Sequence, residues 1–171
     1  MDNKLQTSLE FQIGDSLRAR ALKLATAESC TGGLVADRIT DIPGSSDYFV
    51  GGIVAYANSV KIHTLGVSSE TIERYGAVSR ETVLEMAQGA RAVLAADIAV
   101  SVSGIAGPGG GLPGKPVGAT WIALAAAEGV WARFFIWEGD RVTNKITSAQ
   151  AALQLLYDYL QGIPIEKQGQ V

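Results

Sequence analysis

The chain has 171 residues, 47% of them hydrophobic, enough to bury one sizeable core within a single domain. Its formal net charge of -3, with Lys and Arg scattered singly, supplies no field for nucleic acid. One cysteine and one histidine exclude an intrachain disulfide and leave no Cys/His zinc set, so no metal is expected.

The first residues, Met1-Asp2-Asn3-Lys4, lack the apolar core of a signal peptide, and no segment approaches a membrane-spanning run. A soluble, cytoplasmic protein with no membrane partner is expected. Leu5, Leu9, Ile13 and Leu17 recur at four-residue spacing and predict a first amphipathic helix, weakened at Gly14. Lys23 to Ala27 reads as a short buried strand. Leu34, Val35 and Ile39 then continue as a helix that Pro43 and Gly44 punctuate.

Residues Gly52 to Ala57 carry the β-branched and aromatic content of a second strand, and Asn58 is placed to cap a helix running through Leu65 to Gly66. Ser68 and Ser79 read as N-caps of a short helix and of a longer one ending near Ala95, with Glu70 and Glu81 in their first turns. Ile98 to Ser103 predicts a central strand, which runs into a glycine-rich loop over residues 104–116. Val117 to Ala127 and Val130 to Trp137 form an expected antiparallel hairpin turning at Glu128-Gly129. A last helix runs from Asp140, with Ala149, Ala152, Leu153, Leu156 and Leu160 at helical spacing, to Gly162-Ile163-Pro164. Strands that alternate with helices, followed by a hairpin, predict an α/β fold whose mixed sheet is covered by helices on its faces. A single domain over residues 1–164 and a frayed tail over 165–171 are expected.

Chemistry is expected where the first strand ends, at Thr26-Ala27-Glu28-Ser29-Cys30-Thr31-Gly32-Gly33. Free N–H groups at a helix start favour negative charge developing on a substrate, which makes Ser29 a candidate nucleophile. The alternative is that Ser29 or Thr31 is only an N-cap. A serine needs a base, and His63 carries no mark of burial or orientation. Lys61 falls in the first turn of the helix after Asn58, where the helix dipole and burial beside Tyr56 would lower its pKa. An ordinary solvated lysine is the competing reading. Tyr56 is either a proton relay or a core tyrosine with a wet tip. Cys30, with Glu28 and Lys61, offers a rival thiol mechanism, and its alternative is a small buried hydrophobe.

The glycine-rich loop nearly satisfies two nucleotide motifs and fails both on context. Pro116 stands where a Walker A motif needs Ser or Thr, and a strand follows where the dinucleotide fingerprint needs a helix. Glycines between Gly104 and Gly114 nevertheless let backbone N–H groups approach an anion, with Lys115 and Arg141 adding positive charge. A flexible surface loop is the alternative. Trp131, Phe135 and Trp137 on the last strand point to core packing or a subunit interface.

Four segments taken together, Ala27 to Gly33, Gly51 to Asn58 with Lys61, Ser103 to Pro108, and Lys115-Pro116-Val117-Gly118, resemble the C-terminal domain of the competence/damage-inducible protein CinA and the stand-alone nicotinamide-nucleotide amidases. The resemblance covers about Leu5 to Leu160. It implies a three-layer α/β/α sandwich, a homo-oligomer, and hydrolysis of nicotinamide mononucleotide to nicotinic acid mononucleotide and ammonia in NAD recycling, without a cofactor. It further implies Ser29 as nucleophile, Lys61 as general base and Tyr56 as an accessory catalytic group. On that scheme the N–H groups of Cys30, Thr31 and Gly32 hold the oxyanion. The nucleotide rests on Ser103, Gly104, Gly107, Gly109 and Gly110, with Lys115, Arg141 or Lys145 at its phosphate. The family often carries an arginine where this chain has Lys145, which keeps the charge and loses the bidentate fork. Gly109 also replaces a more polar residue common in that loop. A non-catalytic nucleotide-binding or assembly module using the same pocket is the alternative function.

Overall fold

Strand β1, Leu24–Glu28, has a neighbour on each side and ends immediately before Ser29. The computed structural model describes residues 7–165. In chain order they form α1 (Leu9–Ala19), β1, α2 (Leu34–Thr40), a 3-10 turn (Ser45–Asp47), β2 (Phe49–Val54), α3 (Asn58–Leu65), α4 (Ser69–Tyr75) and α5 (Arg80–Val93). The strands β3 (Ile98–Gly104), β4 (Ala119–Ala126) and β5 (Gly129–Ile136) then precede α6 (Arg141–Leu160). The sheet order is β2-β1-β3-β4-β5. β1 pairs parallel with β2 and β3, whereas β3–β4 and β4–β5 are antiparallel, so the sheet is mixed.

The alternation of side chains along β1 assigns the two faces of the sheet. Leu24 joins a core with Ile13 and Leu17 of α1, Val35 and Ile39 of α2, and Leu153 and Leu156 of α6. Ala25 and Ala27 join a second core with Leu65 of α3 and Met86 and Ala90 of α5. Helices α1, α2 and α6 thus cover one face and α3, α4 and α5 the other, giving an α/β/α sandwich. Leu153, Leu155, Leu156 and Leu160 are all fully buried, each contributing roughly 2 kcal/mol of apolar transfer free energy. The α5 face of the sheet is built from alanines, Ala99, Ala123, Ala125 and Ala132 among them, which lets α5 lie close. That closeness extends to α3: a Cβ at Gly89 would stand 1.8 Å from the carbonyl oxygen of Leu65.

The expected elements are present, with four local differences, the first being that the second strand, expected over Gly52 to Ala57, runs over Phe49–Val54. The hairpin turns at Ala127-Glu128, because Ala126 pairs with Gly129 and Gly129 opens β5 with a φ of +153°. The N-cap of α3 is Ala57, and Asn58 is already helical, so no side chain caps that helix. Ser68 also makes no side-chain cap; its N–H donates instead to the Glu85 carboxylate. Ser79, by contrast, accepts from the N–H of Thr82 as expected. Leu5 lies outside the described residues, as does the expected tail except for Ile165, which packs half-buried against the first core.

Candidate active site

Residues 29–33 form a turn between β1 and α2 that is fixed at several points. Ser29 donates its N–H to Val102 of β3 at 2.9 Å, and Gly32 donates to the Ser29 carbonyl at 3.1 Å. Gly32 and Gly33 have φ values of +67° and +101°, a left-handed path that side chains other than glycine adopt at a penalty. The helix does not begin at once, as a bare strand-to-helix junction would have it. Its cap is the Glu28 carboxylate, which accepts from the N–H groups of Gly33 (3.0 Å), Val35 (3.0 Å) and Ala36 (2.9 Å). Neither Ser29 nor Thr31 caps α2.

Ser29 meets Lys61 on the α3 side of the sheet. Lys61 is 1% exposed, and its Nζ donates to Ser29 Oγ at 3.0 Å, to the Ala55 carbonyl at 2.8 Å and to the Tyr56 carbonyl at 3.3 Å. Burial pushes the Lys61 pKa below the ordinary lysine value, against an opposing pull from the neighbouring Cys30 thiol. The three partners satisfy either protonation state. As an ammonium, Lys61 donates to all three oxygens; as a neutral amine, it donates to the two carbonyls and accepts from the Ser29 hydroxyl. A solvated lysine is excluded by this burial.

Cys30 faces the same cavity, but its thiol is pushed up to about 12, chiefly by burial. A thiolate is therefore disfavoured where a serine–amine pair is assembled. The backbone N–H groups of Cys30 and Thr31 donate to no backbone carbonyl or side-chain oxygen among the described residues. The N–H of Gly32 is committed to Ser29, which removes Gly32 from the expected set of oxyanion donors.

The cavity that opens onto this pair has a volume of 260 Å³. Ser29, Cys30, Lys61, Tyr56 and Asn58 form one wall, Ser103 to Gly107 with Gly109 and Gly110 another, and Arg141 closes the rim. Ser103 is buried and donates its hydroxyl to the Ala77 carbonyl at 2.7 Å, which fixes the α4–α5 connection against the end of β3. Arg141 donates to the Gly107 carbonyl at 2.8 Å and to the Tyr56 hydroxyl at 2.9 Å. Tyr56 is 59% exposed, and its phenol is held by Arg141; only its backbone carbonyl reaches Lys61. The core-tyrosine reading is thereby corrected: the strand ends at Val54, and Tyr56 projects past the sheet into the cavity rim.

The three expected cations separate. Arg141 lines the cavity, and the Lys145 amine lies 3.8 Å from where a Cβ on Gly32 would stand, beside the Ser29 turn. Lys115 does not reach the site. Its amine donates to the Tyr75 carbonyl, in a separate 460 Å³ cavity shared with Arg80, Trp121 and Phe134. The residues after Gly110 turn back through the Leu112–Lys115 bridge and carry it away. His63 is exposed. Two groups hold the site in ways the motifs do not indicate: Glu28, read from the sequence only as a partner of the thiol, and the buried Asn144. Asn144 donates to the Ala106 carbonyl at 3.1 Å and accepts from the Gly139 N–H at 3.0 Å. Asn144 sits one turn after Asp140 on an otherwise mixed helix face, and only its burial distinguishes it.

Among the described residues no three metal-ligating side chains cluster, and no helix is long and apolar enough to cross a membrane. The CinA C-terminal domain model matches residues 6–160. A CinA-like protein of Chloroherpeton thalassium is 50% identical over 156 residues, covering 89% of this chain and 37% of the relative. The chain thus spans a little over a third of the length of the curated relatives it matches. The crystal structure of competence/damage inducible protein CihA from Agrobacterium tumefaciens is similar at a TM-score of 0.86 and 41% identity, over 90% of this chain and 93% of that one. A CinA superfamily protein of Klebsiella pneumoniae is similar at a TM-score of 0.87 and 32% identity, over 90% and 96%. By sequence and by fold, the chain belongs to the CinA C-terminal domain family.

Proposed function

We propose that the protein is an amidohydrolase that converts nicotinamide mononucleotide and water to nicotinic acid mononucleotide and ammonia through a Ser29 acyl-enzyme. The observation that carries this reading is the 3.0 Å contact between Lys61 Nζ and Ser29 Oγ, with the amine buried and its pKa lowered. The substrate class rests on the resemblance to nicotinamide-nucleotide amidases.

Neutral Lys61 takes the proton of Ser29 as Oγ attacks the carboxamide carbon. The carbonyl oxygen becomes an oxyanion, and the N–H groups of Cys30 and Thr31, which follow the nucleophile directly and are held only by the weakly accepting Cys30 sulfur, are its donors. The Lys61 ammonium, with two N–H bonds still engaged by the Ala55 and Tyr56 carbonyls, returns its proton to the leaving nitrogen, and ammonia departs. Water then attacks the ester with Lys61 again as base, releasing the acid and restoring Ser29. Two of the five guanidinium N–H groups of Arg141 hold the rim, which leaves others for the nucleotide phosphate, with Lys145 nearby. This scheme uses no metal or organic cofactor.

Ammonia release from nicotinamide mononucleotide by the purified protein tests the reading, with Ser29→Ala and Lys61→Ala measured alongside. Turnover by the wild type and a loss of at least a thousandfold in each variant is expected. Equal release by wild type and Ser29→Ala overturns the nucleophile assignment, and nucleotide binding without release favours a binding module.

A further inference from the structure

Glu28 is 1% exposed and stands one residue before the nucleophile, yet it faces the other side of the sheet, toward α2. A buried carboxylate is unfavourable unless its oxygens are bonded, and here three backbone N–H groups converge on it at 2.9–3.0 Å. Those three groups belong to Gly33, Val35 and Ala36, the donors that a helix start would otherwise present to a substrate anion. Glu28 thus occupies the end of α2 and, because it is joined to Ser29, fixes where the 29–33 turn leaves β1. Ser29, held on its other side by Val102, cannot move without stretching one of these bonds. The N–H groups of Cys30 and Thr31 donate to no oxygen among the described residues; they lean only on the Cys30 sulfur, a weak acceptor that a substrate oxyanion would displace.

We propose that Glu28 is a positioning residue for the reaction: by claiming the N–H groups of Gly33, Val35 and Ala36, it seats the Ser29 turn so that Cys30 and Thr31 alone donate to the oxyanion. This proposal rests on the amidase reading given above. It also accounts for a glutamate where a shorter N-capping side chain would suffice to start a helix, since the carboxylate must reach from the end of a strand across residues 29–32.

Glu28→Gln keeps the shape and replaces one acceptor oxygen by an amide that cannot accept from a backbone N–H. With nicotinamide mononucleotide, kcat is expected to fall about a hundredfold, as for a displaced reacting group, with KM within about threefold and the thermal transition still cooperative. Inhibition by pyridine-3-boronic acid, in which Ser29 Oγ adds to boron to give a tetrahedral anion, should weaken at least tenfold. Binding of nicotinic acid mononucleotide should stay unchanged, a contrast that a general loss of stability would not produce. A folded Glu28→Gln protein with kcat within twofold of an active wild type overturns the positioning role and leaves the amidase reading intact. No ammonia release and no boronate adduct in the wild type overturns the amidase reading itself, and this role with it. Should Glu28→Gln not fold, amide NMR of the wild-type boronate adduct decides. Downfield shifts at Cys30 and Thr31, with Gly33, Val35 and Ala36 unmoved, support the proposal, and the reverse pattern overturns it.

Discussion

Arg141 donates to the hydroxyl of Tyr56 at 2.9 Å, joining the first turn of α6 to the β2–α3 connection across the mouth of the Ser29 cavity. The phenol is engaged at the rim, away from the Lys61 amine. Tyr56→Phe removes one hydrogen bond of about 1 kcal/mol and frees the guanidinium. Steady-state kinetics with nicotinamide mononucleotide are expected to show KM altered by about three- to tenfold and kcat within about twofold. A hundredfold loss in kcat would instead give the phenol a part in proton transfer.

The lowered pKa of Lys61 sets the sign of two pH effects. For activity, the neutral amine is the base, so kcat/KM rises with pH to a plateau whose midpoint lies below the ordinary value of 10.5. For stability, the unfolded chain binds a proton that the folded chain has released in the interval between the two pKa values. Unfolding free energy therefore rises with pH through that interval. Lys61→Met is expected to abolish turnover and to lose this rise in denaturation curves recorded between neutral pH and 10.5, whereas a parallel rise in wild type and variant would assign the slope to other groups.

Much of the centre is legible in the sequence because it depends on local order. Ser29 and Lys61 each follow a short strand that opens toward a helix, and in an α/β sheet such junctions gather at one edge. The strands, the hairpin and α6 are legible through hydrophobic periodicity. Glu28 is read from the sequence only as a partner of the Cys30 thiol; its capping role is not legible, because a carboxylate ending an apolar strand has no periodic signature and its three acceptor bonds are made by the following turn and helix. The position of Lys115 is also hidden, since the loop's return through Leu112 is set by long-range packing. Asn58 misleads for a related reason: Ala57 supplies the extended backbone of the cap, and the helix starts one residue early.

Cys30 adjoins the nucleophile but is expected to be chemically quiet. With a pKa of about 12, roughly one thiol in ten thousand is ionised at pH 8. Iodoacetamide should therefore inactivate the protein far more slowly than it alkylates a free thiol of comparable access. Cys30→Ala should keep ammonia release within about threefold, since only the backbone N–H of this residue is assigned a role. Rapid alkylation, together with complete loss of activity in Cys30→Ala, would move the nucleophile from oxygen to sulfur.

Lys145 brings its charge beside the Ser29 turn, whereas Lys115 lines a separate cavity, so their removal should be told apart by substrate binding. The Lys145 amine sits beside Gly32, whereas that of Lys115 is bound to the Tyr75 carbonyl near Gly76. Lys145→Ala is expected to raise KM for nicotinamide mononucleotide about tenfold at low ionic strength, with a smaller effect as salt screens the phosphate. Lys115→Ala should change KM by less than twofold. Equal effects from both variants would place the phosphate elsewhere.

Gly89 tests how the fold supports the chemistry. In an exposed helix interior, Gly→Ala stabilises by about 1 kcal/mol through propensity. At Gly89 of α5 the added methyl would lie 1.8 Å from the Leu65 carbonyl oxygen and 2.7 Å from its carbon, both backbone atoms of α3. The two helices must separate, and overpacking of this kind is worth about 1–3 kcal/mol of destabilisation, which outweighs the propensity gain. Leu65 ends the helix that carries Lys61, and Lys61 reaches Ser29 with a single 3.0 Å contact, so the displacement is transmitted to the base. Gly89→Ala is therefore expected to lower the urea midpoint and to reduce kcat at least tenfold under conditions where the variant is fully folded. A variant more stable than wild type would mean that α3 and α5 do not approach as closely in solution as the alanine-lined face of the sheet requires.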